Sequence, residues 1–340
     1  MDGSAASGKR PQTAFRQAEK AFRNAHKEPD CELIPATLAH TLALPGFGFP
    51  VFRTPHPAAF ALPDRPGLLL IRDALTPEAQ RWLARKCLVD CSKPPNRSNL
   101  DPFFDLPDRS LFGMQDDSSL ISPQDASSLD GPLSAVTRPK ERFYQQAQPA
   151  AALLPRLRWY TLGRQYNWTT KLYDSGSTAF DPALDSLMRA IAIAISDASL
   201  GGHAINGFDG RQYTCHAGIV NFYGEKDSMA GHVDKTEENM EAPLISLSLG
   251  LECVYLVGGR TRDIEPSAIR LRSGDILAMC GESRMAFHGV PRVIADSAPD
   301  YLTDPCTGST DAGAEKYPEW RHFSKYLARH RINCNARKCE

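Results

Sequence analysis

At 340 residues with 42% apolar side chains, the chain can hold one large domain or two ordinary ones around a substantial core. Its formal net charge of -1 excludes a global pull toward polyanions, so any nucleic-acid contact has to come from a local basic patch. The nine cysteines are scattered, without a Cys-x-x-Cys pair, and no apolar run approaches a membrane span or a signal-peptide core, which predicts an intracellular protein of a reducing compartment (cytoplasm, nucleus or mitochondrion) with no membrane segment.

The first elements are predicted in an arm. Lys9, Arg10, Arg16, Lys20, Arg23 and Lys27 surround Phe15, Ala18 and Phe22 at helical spacing, which reads as a basic helix docked by its two Phe, or else as a phosphate-touching or targeting segment. Prolines at 29, 35, 45, 50, 55, 57, 63 and 66 then deny both helix and central strand, so residues 1–66 are expected to form an N-terminal extension without catalytic content. A domain over 67–340 opens at Leu68-Leu69-Leu70-Ile71, a run suited to a buried strand. Thr76-Pro77 follows as N-cap and first residue of a helix presenting Ala79, Trp82, Leu83 and Cys87. The polar, Pro/Ser/Asp-rich stretch at about 92–140 is an insertion whose length implies function or poor order.

Arg158, Trp159, Arg164, Tyr166 and Trp168 crowd one segment. Aromatic faces beside guanidinium groups can stack an unpaired base and hold its phosphate, while a strand with core aromatics is the simpler reading of the same residues. Asp181-Pro182 starts a helix with Leu184, Leu187, Met188, Ile191 and Ile195 on one stripe, predicted to end at Gly201-Gly202. Short β-like runs follow at 217–223, 244–249, 253–257, 269–271, 276–280, 284–288 and 331–337, separated by glycine turns in the rhythm of an antiparallel sandwich or barrel.

Three features on these runs and their connections carry chemistry. In extended backbone His232 and Asp234, two apart, can turn toward one ion, although a His-x-Asp triplet alone reads as a loop or a single hydrogen-bonded pair. With His288 they make a two-His, one-carboxylate set, which occupies three positions on an octahedral ion and leaves three open, as expected for non-haem Fe(II) that activates oxygen. Arg331, Asn333 and Arg337 share one face of the last run, and two guanidinium groups match a dicarboxylate. An ideal strand over that interval spans roughly 20 Å, so both Arg reach one small diacid only if the strand twists or the side chains converge.

Taken in order, Asn221-x-Tyr223, His232-x-Asp234-Lys235, Ala242-Pro243-Leu244, Gly274-Asp275-Ile276, Gly281-Glu282-Ser283-Arg284, His288-Gly289-Val290 and Arg331-x-Asn333-x-x-x-Arg337 resemble the AlkB family. Trp159 to Trp168 and Pro291-Arg292-Val293 are most similar to its eukaryotic homolog-1 branch. The resemblance implies an α+β fold with a double-stranded β-helix (jelly-roll) core and buttressing helices. It also implies Fe(II) held by His232, Asp234 and His288, with 2-oxoglutarate and O2 as co-substrates. Arg331 would pair with the distal carboxylate of 2-oxoglutarate, Asn333 and Arg337 would lie near its chelating end, and Asn221 and Tyr223 would add hydrogen bonds. Trp159 would face the target base opposite His232.

The expected activity is oxidative demethylation or hydroxylation of a methylated base in tRNA or single-stranded RNA or DNA, with N1-methyladenine or a methylcytosine of tRNA favoured. Trp159, Arg158, Arg164, Tyr166 and Lys235 are the substrate candidates, and the protein is expected to act as a monomer. Thr236 stands where bacterial relatives carry an acidic residue used in base recognition, which puts their repair substrate in doubt. A dioxygenase of protein side chains, a non-catalytic nucleic-acid-binding module and a metal-dependent hydrolase are the alternatives; a non-catalytic module would be expected to have lost a ligand or an anchoring Arg, and none is missing, while a hydrolase would have no use for Arg331 and Arg337.

Overall fold

The structure, a computed structural model, describes residues 12–24, 27–108, 110–125, 139–167, 172–173, 178–305 and 320–340. Lys9, Arg10, Trp168, Cys306 and residues 126–138 of the polar stretch lie outside them. In chain order the elements that position the site are α1 (Ala14–Asn24), β1 (Ile34–Ala36), β2 (Ala59–Ala61), β3 (Leu68–Ile71), α2 (Pro77–Arg85), β4 (Trp159–Gly163) and α3 (Pro182–Ala194). They continue with β5 (Ala217–Gly224), β6 (Met229–His232), β7 (Leu244–Gly250), β8 (Glu252–Val257), β9 (Ser267–Leu271), β10 (Ile276–Met279), β11 (His288–Ile294), α4 (Trp320–Leu327) and β12 (His330–Arg337).

Two antiparallel sheets enclose the site. The larger runs β1-β2-β3-β10-β7-β12-β5-β4 and the smaller β6-β11-β8-β9. Side chains alternate along a strand, and β12 uses that alternation fully. Ile332, Cys334 and Ala336 pack with Leu83 of α2, Leu187 and Ile191 of α3 and Phe323 of α4 in the outer core, whereas Arg331, Asn333, Asn335 and Arg337 face the space between the sheets. Beside that space an inner apolar cluster joins Leu68, Leu70, Leu244, Leu277 and Met279 of the large sheet to Cys253, Tyr255, Leu271 and Val293 of the small one. Each buried aliphatic side chain contributes about 1.5–3 kcal/mol, so a polar row on β12 is tolerated only because both of its flanks are well packed.

The arm contributes to both sheets. Pro35 lies on β1, the outermost strand, where a missing N–H breaks no ladder. Helix α1 buries Phe15 and Phe22 against Val254, Leu256 and Ala268 on the outer face of the small sheet. Within the polar stretch, Leu100, Phe104, Phe112 and Ile121 enter the main core.

Thr76 caps α2 by accepting from the Ala79 N–H at 3.1 Å, and Asp181 caps α3 by accepting from the N–H groups of Ala183 and Leu184 at 3.0 Å. Three boundaries differ from the sequence reading. Helix α3 ends at Ala194, and Gly201 and Gly202, both with positive φ, turn a small hairpin between Ser199–Leu200 and His203–Ala204. Of the run expected as a strand at 284–288, only His288 is in a strand, as the first residue of β11; residues 284 and 285 end a 3-10 turn, Gly281–Met285. Gly281 at φ 47° breaks the strand, and the Ser283 hydroxyl accepts from the Cys280 N–H at 2.9 Å. A short strand, β6, also forms up to and including His232 of the His-x-Asp pair.

Candidate active site

The metal-capable residues come from the small sheet. His232 on β6 stands directly opposite His288 on β11, with ring centroids 4.4 Å apart, and Asp234 follows two residues beyond β6. One ligand atom from each of His232, Asp234 and His288 can be chosen so that all three lie within 4.8 Å of one another. Nδ1 of His232 lies 2.9 Å from the carbonyl of Ala230 and Nδ1 of His288 lies 3.2 Å from that of Ala286. A carbonyl only accepts, so each Nδ1 carries the proton and each Nε2 keeps a lone pair for a metal. Tyr255 stacks on His288 at 5.9 Å and fixes the ring plane.

The electrostatics favour the ligating forms. Burial, reinforced by the neighbouring His232, pulls the His288 imidazole down to about 4, so it is neutral at pH 7. Burial works to raise the Asp234 carboxyl, but Arg337, His288 and His232 outweigh it and hold the group well below the usual carboxylate range. A neutral imidazole beside a firmly ionised carboxylate is the donor set a divalent cation needs.

These residues open into a cavity of 620 Å³ between the sheets, within the range of small-ligand sites. Asn221 and Tyr223 of β5, Arg331, Asn333 and Arg337 of β12, and Tyr166 and Lys235 line it together with the metal-capable triad. Arg331 is 1% exposed. One guanidinium nitrogen donates to the Ser248 hydroxyl at 3.0 Å, and the other two nitrogens have no partner. Burying a guanidinium without acceptors is costly, so these donors mark a place for an anionic group of a ligand.

Arg337 is differently engaged. It lies 3.4 Å from Asp234 Oδ2, donates to Glu237 Oε1 at 3.0 Å and donates to Asn335 Oδ1 at 2.6 Å. The two arginines thus serve opposite ends of the polar row, which removes the difficulty of their separation: Arg331 is free for a ligand, and Arg337 braces the metal end.

The remaining substrate candidates do not converge. Trp159, on the sheet-edge strand β4, pairs with Asn221 and shares its face, yet does not line the cavity. Arg158 is paired with Asp227 at 3.0 Å and Arg164 with Glu340 at 2.6 Å, away from the cavity. Tyr166 does reach its wall, on a two-residue ladder with Leu172–Tyr173 that sets Tyr166 and Tyr173 rings 5.2 Å apart, and Lys235 is exposed beside them. Asn335, Ser246, Tyr173 and Tyr255 also line the cavity and were not singled out from sequence. Asn335 had a signal, the same period of two that marks Arg331 and Asn333.

A family model described as the 2OG-Fe(II) oxygenase superfamily matches residues 122–337. The chain is 33% identical over 297 residues to tRNA demethylase abh1 of Schizosaccharomyces pombe, covering 86% of this chain and 85% of that protein. It is 30% identical over 357 residues to DNA N(6)-methyladenine demethylase ALKBH1A of Arabidopsis thaliana, covering 96% of each. It is also 29% identical over 319 residues to N6-methyladenosine RNA demethylase ALKB1 of Pyricularia oryzae, covering 89% of this chain and 82% of that one. The names of the three specify tRNA, DNA and RNA in turn.

Proposed function

The chain belongs to the 2OG-Fe(II) oxygenase superfamily, within the homolog-1 branch of the AlkB family, and from that premise we propose that it removes methyl groups from nucleic-acid bases by oxidation. Its metal is Fe(II) and its co-substrates are 2-oxoglutarate and O2, as in the family. The two sheets that enclose the cavity are read as the halves of a jelly roll, with the arm over 1–66 as an extension of the domain over 67–340.

The observation that carries the proposal is the pairing of two sites in one cavity: the His232, Asp234 and His288 cluster, and the buried Arg331 with two unpartnered donors. An Arg fork suits a carboxylate, so Arg331 anchors the distal carboxylate of 2-oxoglutarate, with Asn221, Tyr223 and Asn333 along its length. Arg337 and Asn335 close the metal end. When bound, the iron with 2-oxoglutarate supplies oxidation of a C–H bond by O2, coupled to conversion of 2-oxoglutarate to succinate and CO2. The protein's share is orientation: His232, Asp234 and His288 would hold the metal, and the apolar walls of Leu244, Leu271 and Val290 line the cavity around it. A methyl group on a base nitrogen, once hydroxylated, leaves as formaldehyde.

Nucleic acid as substrate is supported by the substrates named for the three relatives and by the cavity wall, where Tyr166 and Tyr173 offer aromatic faces and Lys235 a cation to a base turned out of its stack. Structured RNA, with N1-methyladenine or a methylcytosine of tRNA as target, is the favoured class. The test is to incubate the iron-loaded protein and 2-oxoglutarate with total tRNA, then measure nucleosides by mass spectrometry together with succinate and formaldehyde. Loss of a methylated nucleoside, abolished in Asp234→Ala, is the expected result. Succinate formation that no tRNA, RNA or DNA stimulates would overturn the substrate class and direct attention to protein side chains.

A further inference from the structure

Asp234 is gripped from two directions. Arg337 approaches its carboxylate at 3.4 Å, and Arg284 donates to its backbone carbonyl at 3.2 Å. The Arg284 and Arg337 side chains are 1% and 4% exposed. Two buried cations collapse onto the nearest available anion, and a metal-binding carboxylate that surrendered its oxygens to them would be lost as a ligand. A second carboxylate stands in the way. Glu237 has a fully buried side chain: Oε1 accepts from Arg337 at 3.0 Å and Oε2 from Arg284 at 3.2 Å, while the Tyr173 hydroxyl donates to Oε1 at 2.8 Å and sets its rotamer.

We propose that Glu237 is a positioning residue for the metal-binding carboxylate, which satisfies Arg337 and Arg284 so that they orient Asp234 without taking its oxygens from the metal. The proposal rests on the reading of His232, Asp234 and His288 as the metal ligands. Arg337 lies closer to Glu237 than to Asp234, the order required if Glu237 is its main partner. With Glu237 present, the two arginines and two carboxylates sum to zero before a metal enters. Without its charge the cluster is left at +1 beside a divalent cation, and the freed Arg337 competes for Asp234. Both effects weaken metal binding.

Tyr173 gives the arrangement a reach beyond the metal. It belongs to the ladder that carries Tyr166 on the cavity wall, so Glu237 ties the substrate-side ladder to the two arginines by hydrogen bonds.

The test uses the full chain with Co(II) in place of Fe(II), reading d–d absorption and apparent Kd alongside thermal unfolding for wild type, His232→Ala, Glu237→Gln and Glu237→Asp. Glu237→Gln keeps the volume but turns an amide N–H toward Arg284. We expect it to fold cooperatively, bind Co(II) at least tenfold more weakly and shift the d–d bands, with Glu237→Asp recovering part of the affinity. Folded Glu237→Gln with the wild-type affinity and spectrum would overturn the proposal. Should Glu237→Gln fail to fold, Glu237→Asp decides: affinity below wild type supports the role, and affinity equal to wild type refutes it. A wild-type protein that does not bind Co(II), or a His232→Ala variant that binds it equally well, fails the metal reading itself and is distinguishable from both.

Discussion

Arg331 and Glu237 are both buried and charged, and their environments predict opposite responses to mutation. Arg331 has one protein partner, the Ser248 hydroxyl, and two unpartnered nitrogens. Arg331→Met keeps the volume and removes a desolvated charge, so the protein without ligands should unfold at the same temperature as wild type or higher. The variant should lose the stabilisation by 2-oxoglutarate, which for wild type at a hundred times Kd amounts to about 2.7 kcal/mol. Thermal unfolding of the Co(II)-loaded proteins with and without 2-oxoglutarate measures both, and an undiminished 2-oxoglutarate shift in the variant would exclude Arg331 as the anchor. Glu237 is fully partnered. Burial works to raise its carboxyl, yet Arg337 and Arg284 prevail and hold it below its ordinary value of 4.5. A carboxyl depressed in the folded state contributes stability above its unfolded pKa and loses it as pH falls through the folded one. The urea midpoint of metal-free wild type should therefore exceed that of Glu237→Gln at pH 7, and the gap should narrow on acidification below about 4.5. A gap that widens in acid would contradict the ion-pair assignment.

At the scale of elements, β6 depends on α1 for its backbone. It is an edge strand of the small sheet and carries His232 at its end; the buried Glu19 of α1 accepts from the Gly231 N–H at 2.6 Å, and Arg262 donates to the Gly231 carbonyl at 2.7 Å. Residue 231 has to be glycine, since a Cβ there would lie 2.4 Å from the Phe15 ring. Phe15→Ala should cost about 3–5 kcal/mol, and Glu19→Ala should speed amide exchange at residues 229–232 with little change elsewhere. Exchange that is uniform across both sheets would mean that α1 does not secure β6. The two Phe at helical spacing made this helix readable in sequence, because local periodicity encodes it. The alternation of β12 was readable for the same reason and places Arg331 and Asn333 on one face, with Asn335 following the identical period. Residues 284–287 were misread because Met285, Ala286 and Phe287 imitate a strand, while the local hydrogen bonds of Ser283 and the positive φ of Gly281 decide for a turn, and the strand begins only at His288. The end of α3 was misplaced because a glycine pair can serve a hairpin as well as a helix terminus.

For the molecule as a whole, what sequence leaves hidden is long-range partnership. The contacts of Arg337 with Glu237 and Tyr173 span 100 and 164 residues, and no local pattern announces them. Charge distribution is similar: a net charge of -1 is silent about where cations gather, and the structure occupies two of the candidates, pairing Arg158 with Asp227 and Arg164 with Glu340. Lys235 is the predicted substrate cation that reaches the cavity wall. A protein of net charge -1 that presents few cations at its site among the described residues should bind a polyanion through few phosphates, so its affinity for single-stranded RNA should fall only gently with salt. The slope of log K against log salt is about -0.7 for each phosphate neutralised on a single strand. If Lys235 makes one such contact, Lys235→Ala should make the slope shallower by about 0.7 and weaken all RNA sequences equally, because a phosphate contact carries no base information. Titration of a labelled methylated oligonucleotide at several salt concentrations reads both quantities. An unchanged slope in the variant would remove Lys235 from the interface, and a wild-type affinity independent of salt would remove phosphate contacts, and with them nucleic acid, from the account of this cavity.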